Sequence, residues 1–283
     1  MTFLALVIAL VLLQVWGSAE RVQRDGWFHS WRGQVASMGV LPAIKLALAV
    51  LLPVVLLEIV LDTLDPVLFG LLWIAAAVVL LLYSLGRGDF EALAERYRAQ
   101  CRSGDFEGAW LTARAEPGWV TAADQPASAE EVHAVVERGF LYEGYQRWFP
   151  AIFYFIVLGP AWAVAYRLLQ LCRRHLEPDL IERCLFFADW IPARLLAAAF
   201  AITGDFVGSR DELLRGLRDT SRNAGDLLLE VATAALGHGA APAARDGEDF
   251  GESAARQNQS LSGLLSRSAI CWLVVIALGV VLL

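Results

Sequence analysis

The run from Pro66 to Tyr83, PVLFGLLWIAAAVVLLLY, is eighteen residues long and carries no charge. As a helix it has no polar face to turn to water, whereas about 20 apolar residues cross the ~30 Å hydrocarbon core of a bilayer. Residues 42–60 (PAIKLALAVLLPVVLLEIV) and 148–171 (WFPAIFYFIVLGPAWAVAYRLLQL) read as two further spans, and the uncharged stretch 268–283 after Arg267 as a fourth. Thr2–Trp16 is a fifth. A cleaved signal peptide is its rival, with Gly17 and Ala19 placed like a small-residue cleavage site. No basic residue precedes the apolar run, however, as the n-region of a signal requires. Backbone groups in hydrocarbon must be satisfied within the segment, which makes spans of this length helices. The expected fold is therefore all-α, a polytopic membrane bundle of five to six helices with a cytoplasmic helical hairpin and amphipathic helices. The composition agrees, at 57% hydrophobic against roughly 45–50% for an ordinary soluble domain. Ten Trp, and 22 Arg against a single Lys, also suit an interface where an apolar body meets a polar tip.

The sixth membrane segment is the polar one. Phe186–Val207 (FFADWIPARLLAAAFAITGDFV) carries Asp189, Arg194 and Asp205. Charges at membrane depth face a bundle interior or a wet cavity, so this is expected to be a buried or partly re-entrant helix. Asp189 and Arg194 are five apart and do not form an i,i+4 pair. Pro192 between them can free a backbone carbonyl. Arg194 is expected to take its anion from another helix, at Glu58 or Glu143, while Arg167 is expected to snorkel to the interface. Asp189, Arg194, Glu143, Glu58 and Arg167 make up the candidate polar set. It suits an ion-paired network that orders the bundle as well as it suits a ligand site. Gly159-Pro160 has two readings as well: a kink, or a discontinuous helix beside a ligand cavity.

Lys and Arg counts orient the chain. Residues 84–147 and 208–267 hold seven Arg each, which places the long loops in the cytoplasm and both termini outside. Arg173, Arg174 and Arg183 run against that pattern. The organisation read from these features is membrane helices over 1–83, a cytoplasmic helical segment over 84–147, and membrane helices over 148–207. An amphipathic helix and linker occupy 208–266, and a last membrane helix 267–283. Within 84–147 a near repeat, Gly88–Ala92 and Gly104–Gly108, places Asp89 and Asp105 as N-caps of successive helices. Ser103-Gly104 ends the first. The pair resembles one tetratricopeptide-like unit, read here as packing on the membrane domain rather than as a peptide-binding surface. Ser128–Glu131 is a capping box whose helix runs on into the span at Trp148. Ser209–Glu212 repeats that signature and opens an amphipathic helix to about Leu236. Gly237–Gly247 is a linker, and Pro117–Ala127 a surface loop.

Several chemistries are excluded. A net charge of −7 does not suit nucleic acid, whose binding rests on cationic neutralisation of phosphates. The four Cys and four His are dispersed, with no CxxC, HxxxH or HExxH. His175 near Cys172 is the nearest approach to a metal pair and falls short of a site. There is no GxxxxGK[ST] phosphate loop and no GxSxG elbow. No catalytic residue, metal or cofactor is assigned.

The stretch Asp189-Trp190-Ile191-Pro192-Ala193-Arg194-Leu195, followed by Ala197–Phe206, resembles the hallmark of the AmpE family. Tyr83–Asp89 (YSLGRGD), Leu158-Gly159-Pro160 and Ala165-Tyr166-Arg167 fit the same family. The resemblance covers the whole chain. It implies a multi-pass protein of the bacterial inner membrane, linked to induction of chromosomal β-lactamase and to sensing cell-wall recycling. The implied partners are the lipid bilayer, an AmpD-like amidase and a muropeptide ligand. The chain is similar at WIPARL and at LGPxxxxAYR to a wider group, the CobD/CbiB enzymes that attach aminopropanol to a corrin. There the departures matter. The enzymes' ENxxDG run corresponds to Tyr142–Arg147, their Asn-Thr-Leu-Asp to Leu169–Cys172, and the early His-Pro-Val element is missing. An ATP-dependent amide synthetase needs carboxylates to hold Mg²⁺. The expectation is a non-enzymatic signalling protein, with a CobD/CbiB-type enzyme or small-ligand binder as the alternative.

Overall fold

The structure is a computed structural model and describes residues 1–16, 19, 22–65, 70–115, 119–120, 124–173, 177–237 and 249–282. Among these residues there are twelve helices and no strand, so the all-α expectation holds. The chain divides into two compact units. Unit 1 comprises Met1–Gly88 and Arg147–Asp189; unit 2 comprises Asp89–Gln146 and Trp190–Leu283.

Unit 1 contains α1 (Thr2–Trp16), α2 (Gly26–Ala36), α3 (Pro42–Leu64) and α4 (Leu71–Ser84). The C-terminal part of α7 (Ala129–Val157), all of α8 (Pro160–Cys172) and the N-terminal part of α9 (Pro178–Thr203) complete it. Pro42 opens α3, where its fixed φ and missing N–H cost nothing. α8 packs against α3 and α4, and α1 against α4, around a core that includes Phe28, Leu46, Ala49, Val54, Val164 and Leu168. The opposite face of α3 exposes Leu51, Leu52, Val55, Leu56, Ile59 and Val60. A continuous apolar row of that size is untenable in water and suited to lipid.

Among the described residues three helices are long and apolar enough to cross a membrane, Pro42–Leu64, Pro178–Thr203 and Phe250–Val280, against the five to six expected. Length is the first reason. α1 has 15 residues and α4 has 14, which at ~1.5 Å per residue leaves both well short of ~30 Å. The expected span at 148–171 differs for another reason: it is two helices. α7 ends at Val157, Gly159 turns with φ 103°, and Pro160 opens α8. The Leu158 and Gly159 N–H groups both donate to the Tyr154 carbonyl. The Tyr154 and Tyr166 rings then stack with centroids 5.8 Å apart. Twelve residues of unbroken helix would separate them by about 18 Å, so the chain folds back on itself. At Gly159-Pro160 the helix is discontinuous rather than kinked. The expected segment 186–207 also shifts. Its helix begins at Pro178 and ends at Thr203, and Asp205 lies beyond it as the N-cap of the next helix, accepting from the Val207 and Gly208 N–H groups.

Unit 2 contains α5 (Phe90–Arg102), α6 (Phe106–Ala115), the N-terminal part of α7, the C-terminal part of α9, α10 (Phe206–Arg218), α11 (Ala224–Ala235) and α12 (Phe250–Leu282). Both expected caps are present: Asp89 accepts from the Ala92 N–H at 3.0 Å, and Asp105 from the Gly108 N–H at 2.8 Å. Gly104, at φ 72°, closes the turn between α5 and α6. Ser128 accepts from the Glu131 N–H at 3.2 Å, while the Glu131 carboxylate reaches the Ala127 N–H. α7 then runs unbroken past Trp148 to Val157. The second box is not one. Ser209 lies inside α10 with its hydroxyl donating to the Asp205 carbonyl, because Asp205 caps the helix four residues sooner. Nor does that helix continue to Leu236. Asp219 accepts from the Ser221 N–H and hydroxyl, and Asn223 caps α11 through the Asp226 N–H. Residues 250–266, grouped in the sequence with the preceding amphipathic helix and linker, begin the long α12, which packs on α5. Gly17, Arg174, His175, residues 238–247 of the linker and residues 117–118 and 121–123 of the 117–127 loop lie outside the described residues.

One close approach fixes the N-terminal part of α7 in unit 2. A Cβ on Gly139 would lie 1.8 Å from the Trp119 carbonyl oxygen, a backbone atom that cannot swing away. On exposed α2, a Cβ on Gly33 meets nothing within 4 Å. Gly139→Ala is expected to cost about 1–3 kcal/mol by overpacking, whereas Gly33→Ala should be neutral or stabilising by roughly 0.5–1 kcal/mol. Thermal melts of the two purified variants in detergent check the contrast.

Candidate functional site

The polar stretch of α9 is built from a proline outward. Pro192 has no N–H to give the carbonyl four residues earlier, that of Ala188. That carbonyl accepts instead from the Tyr154 hydroxyl at 2.8 Å. One residue on, the buried Asp189 carboxylate accepts from the Tyr166 hydroxyl at 2.7 Å. Tyr154 and Tyr166 are the stacked pair of the hairpin, so its two arms each deliver one hydroxyl to adjacent positions on α9. Tyr154, Tyr166, Ala188 and Asp189 all lie in unit 1.

The unit 2 part of α9 holds Arg194. It is buried, its guanidinium lies 4.0 Å from the Trp190 ring centroid, and Nη1 donates to the Trp190 carbonyl at 3.1 Å. Nη2 donates to the Asp219 carbonyl at 2.8 Å, and the Trp190 indole N–H reaches the neighbouring Thr220 carbonyl at 3.3 Å. Asp219 is the C-cap of α10, where carbonyls lack helical donors and the helix dipole favours a cation. Arg194 therefore does not take the Glu58 or Glu143 carboxylate that the sequence suggested. Its anchors are backbone oxygens, with the Asp219 charge nearby. The reason is geometric, since a helix C-terminus offers several acceptors at once and a guanidinium has five donors.

The five expected residues are shared between the units, Glu58, Arg167 and Asp189 in unit 1 and Glu143 and Arg194 in unit 2. Asp189 is held by Tyr166, and Arg167 donates to Gln170 at 3.0 Å. Glu58 is half-buried on α3 and Glu143 half-buried on α7. Arg194 is tied to the end of α10.

Unit 2 holds a second polar group that was not singled out. Tyr97 on α5, His133 and Glu137 on α7, and Gln257 and Asn258 on α12 are all buried to at least 97%. The Tyr97 hydroxyl and His133 Nδ1 are 2.7 Å apart, and the Gln257 amide donates to Glu137 at 2.7 Å. His133 Nε2 lies 3.7 Å from Glu137 Oε1, too far for a hydrogen bond. Burial pushes His133 down to about 4 and Glu137 up to about 8, with Gln257 opposing both shifts. Both are neutral at pH 7, so the contact is a polar pair rather than a salt bridge. Beside it Arg98 is buried and paired with Glu91 at 2.5 Å and Glu95 at 2.9 Å, and it donates to Ser262 at 3.3 Å. The clue was present in the sequence: His133 and Glu137 are four apart on the helix that the Ser128 box opens. No group of three or more His, Cys, Asp or Glu able to hold a metal occurs among the described residues.

Two outcomes follow. Tyr154→Phe is expected to cost about 1–3 kcal/mol, because it leaves the freed carbonyl of Ala188 unsatisfied. In a Pro192→Ala background, where the substituted residue supplies the missing N–H, the same change should cost less. A double-mutant cycle on unfolding in detergent reads the coupling, and additivity would contradict the assignment. The second concerns pH. His133, lowered on folding, favours the folded state increasingly as pH rises from about 4 to 6.5; Glu137, raised on folding, loses its contribution as pH rises from 4.5 to about 8. Between 6.5 and 8 only Glu137 acts, so stability falls with pH there, by about 1–2 kcal/mol. Glu137→Gln should abolish that alkaline loss in melts taken at pH 6.5 and 8.

Residues 1–241 of the chain match the family described as "Regulatory signalling modulator protein AmpE". No curated protein and no solved structure matches the chain. The family match spans unit 1 entirely and takes in YSLGRGD, the hairpin at Leu158-Gly159-Pro160, the DWIPARL stretch and its anchor at Asp219. The chain belongs to the AmpE family of regulatory signalling modulators.

Proposed function

We propose that this protein is a multi-pass inner-membrane relay that couples cell-wall recycling status during β-lactam stress to induction of β-lactamase, and that it does so without catalysing a reaction. One observation carries the non-catalytic part. The buried groups of DWIPARL are bonded within the protein, Asp189 to the Tyr166 hydroxyl and Arg194 to the carbonyls of Trp190 and Asp219. Groups engaged in this way order helices; a catalytic acid or base has to be free to meet a substrate. The family supplies the regulatory part. The loops rich in arginine lie on the cytoplasmic side, where an AmpD-like amidase or a muropeptide is the partner. The lipid bilayer is the third partner, through α3 and the exposed apolar face of α12.

The test has two arms. In cells with an inducible chromosomal β-lactamase, Arg194→Ala should lower induction at least fivefold with the protein still present in the membrane. Wild-type induction in that variant would contradict the role of DWIPARL. For the purified wild-type protein, an anhydro-muropeptide should raise the melting temperature by mass action, and ATP with a corrinoid should not. Turnover of ATP and a corrinoid would establish the CobD/CbiB-type enzyme instead.

A further inference from the structure

Unit 1 contains a cavity of about 410 Å³ between α2, α3, α4 and α8, a volume at the lower end of small-ligand sites. Its wall is apolar, with Pro53, Leu57 and Val60 from α3 and Leu80 from α4. Val60 is half-exposed on the outer apolar face of α3, a helix long enough to span a bilayer, so the cavity opens where lipid chains run.

Tyr83 and Trp27 are the lining residues with a polar atom, and the Arg87–Asp25 pair lies beside Tyr83, outside the lining itself. Tyr83 lines the cavity and is 7% exposed; its hydroxyl approaches Asp25 without making a hydrogen bond of acceptable geometry. Arg87 follows four residues later, beyond the end of α4, with its guanidinium 5.1 Å from the Tyr83 ring centroid. Arg87 Nη2 is ion-paired with Asp25, whereas Nε and Nη1 are buried without partners. The Trp27 ring lies 6.4 Å from the Tyr83 ring. Buried donors without acceptors are costly; the Tyr83 hydroxyl can donate or accept, whereas the two Arg87 nitrogens donate only. They require an oxygen acceptor, and a guanidinium with two free N–H groups suits a phosphate.

From this geometry we infer that unit 1 binds one bilayer phospholipid, with an acyl chain in the cavity and its phosphate accepting from Arg87 and Tyr83. Each methylene taken from water contributes about 0.8 kcal/mol, but within a bilayer the chain gains little by moving into protein. Selectivity therefore rests on the phosphate. Asp25 holds Arg87 in place and offsets its charge, so the site selects for acceptor oxygens more than for net negative charge. This inference does not depend on the signalling role.

The test uses the full-length protein, delipidated in detergent, titrated with phosphatidylglycerol or with a diacylglycerol of the same chains, and read by native mass spectrometry. One phosphatidylglycerol should bind at least tenfold more tightly than diacylglycerol. Arg87→Gln should bring the two within threefold, and Tyr83→Phe should weaken phosphatidylglycerol alone; the second variant decides the matter if the first fails to fold. Val60→Trp, which fills the cavity from its exposed rim, should weaken both lipids. Non-selective retention of several lipids, unchanged in Tyr83→Phe and Val60→Trp, would mean annular lipid only and would overturn the assignment. So would the absence of any bound phosphatidylglycerol.

Discussion

Pro192 leaves the Ala188 carbonyl without a helical donor, and in a membrane helix water is not there to supply one. The Tyr154 hydroxyl meets that need, and much of unit 1 is arranged so that it can. Tyr154 reaches α9 because Gly159 and Pro160 turn the chain back; the same turn stacks Tyr166 on Tyr154 and delivers a second hydroxyl to Asp189. A helix break and a helix proline, each destabilising alone, are thus matched. The buried carboxylate of Asp189 gains a hydrogen bond from the same arrangement, which lowers the cost of holding it away from water.

Unit 2 follows a different logic. Its helices are capped by Asp89, Asp105, Asp205 and Asn223, and its core contains polar groups on facing helices. Tyr97 on α5 bonds His133 on α7, Gln257 on α12 bonds Glu137 on α7, and Arg98 gathers two carboxylates from its own helix. Such networks define which face of each helix turns inward, since rotation of any member would strand a buried polar atom. Keeping His133 and Glu137 neutral makes the arrangement tolerable in an apolar setting.

The sequence was legible wherever a local rule decides the outcome. The caps at Asp89 and Asp105, the turn at Gly104, the Ser128 box and the freed carbonyl before Pro192 all depend on neighbours within four residues. What it concealed was non-local. Nothing in the 148–171 hydropathy distinguishes one span from two helices folded together; Gly159-Pro160 marks the place but not the angle. The partner of Arg194 was sought among carboxylates because side chains can be counted in a sequence, while the carbonyls at the end of α10 become acceptors only once that helix ends at Arg218. Dispersed histidines look alike in a sequence, and His133 stands apart only when Gln257, more than a hundred residues away, is brought beside the His133–Glu137 pair. The count of spans was too high for a related reason, since hydropathy registers apolar helices of 14 or 15 residues but not where their ends must lie.

The anchor of Arg194 has an evolutionary corollary. A guanidinium that binds main-chain oxygens makes no demand on the side chain at the acceptor position, because every residue carries the same carbonyl. Position 219 can drift without breaking the bond, and the aspartate found there serves its own turn through Ser221. Selection at this joint acts on one end only. An arginine held in this way can stay fixed with no covarying partner, and a search for paired substitutions would miss it.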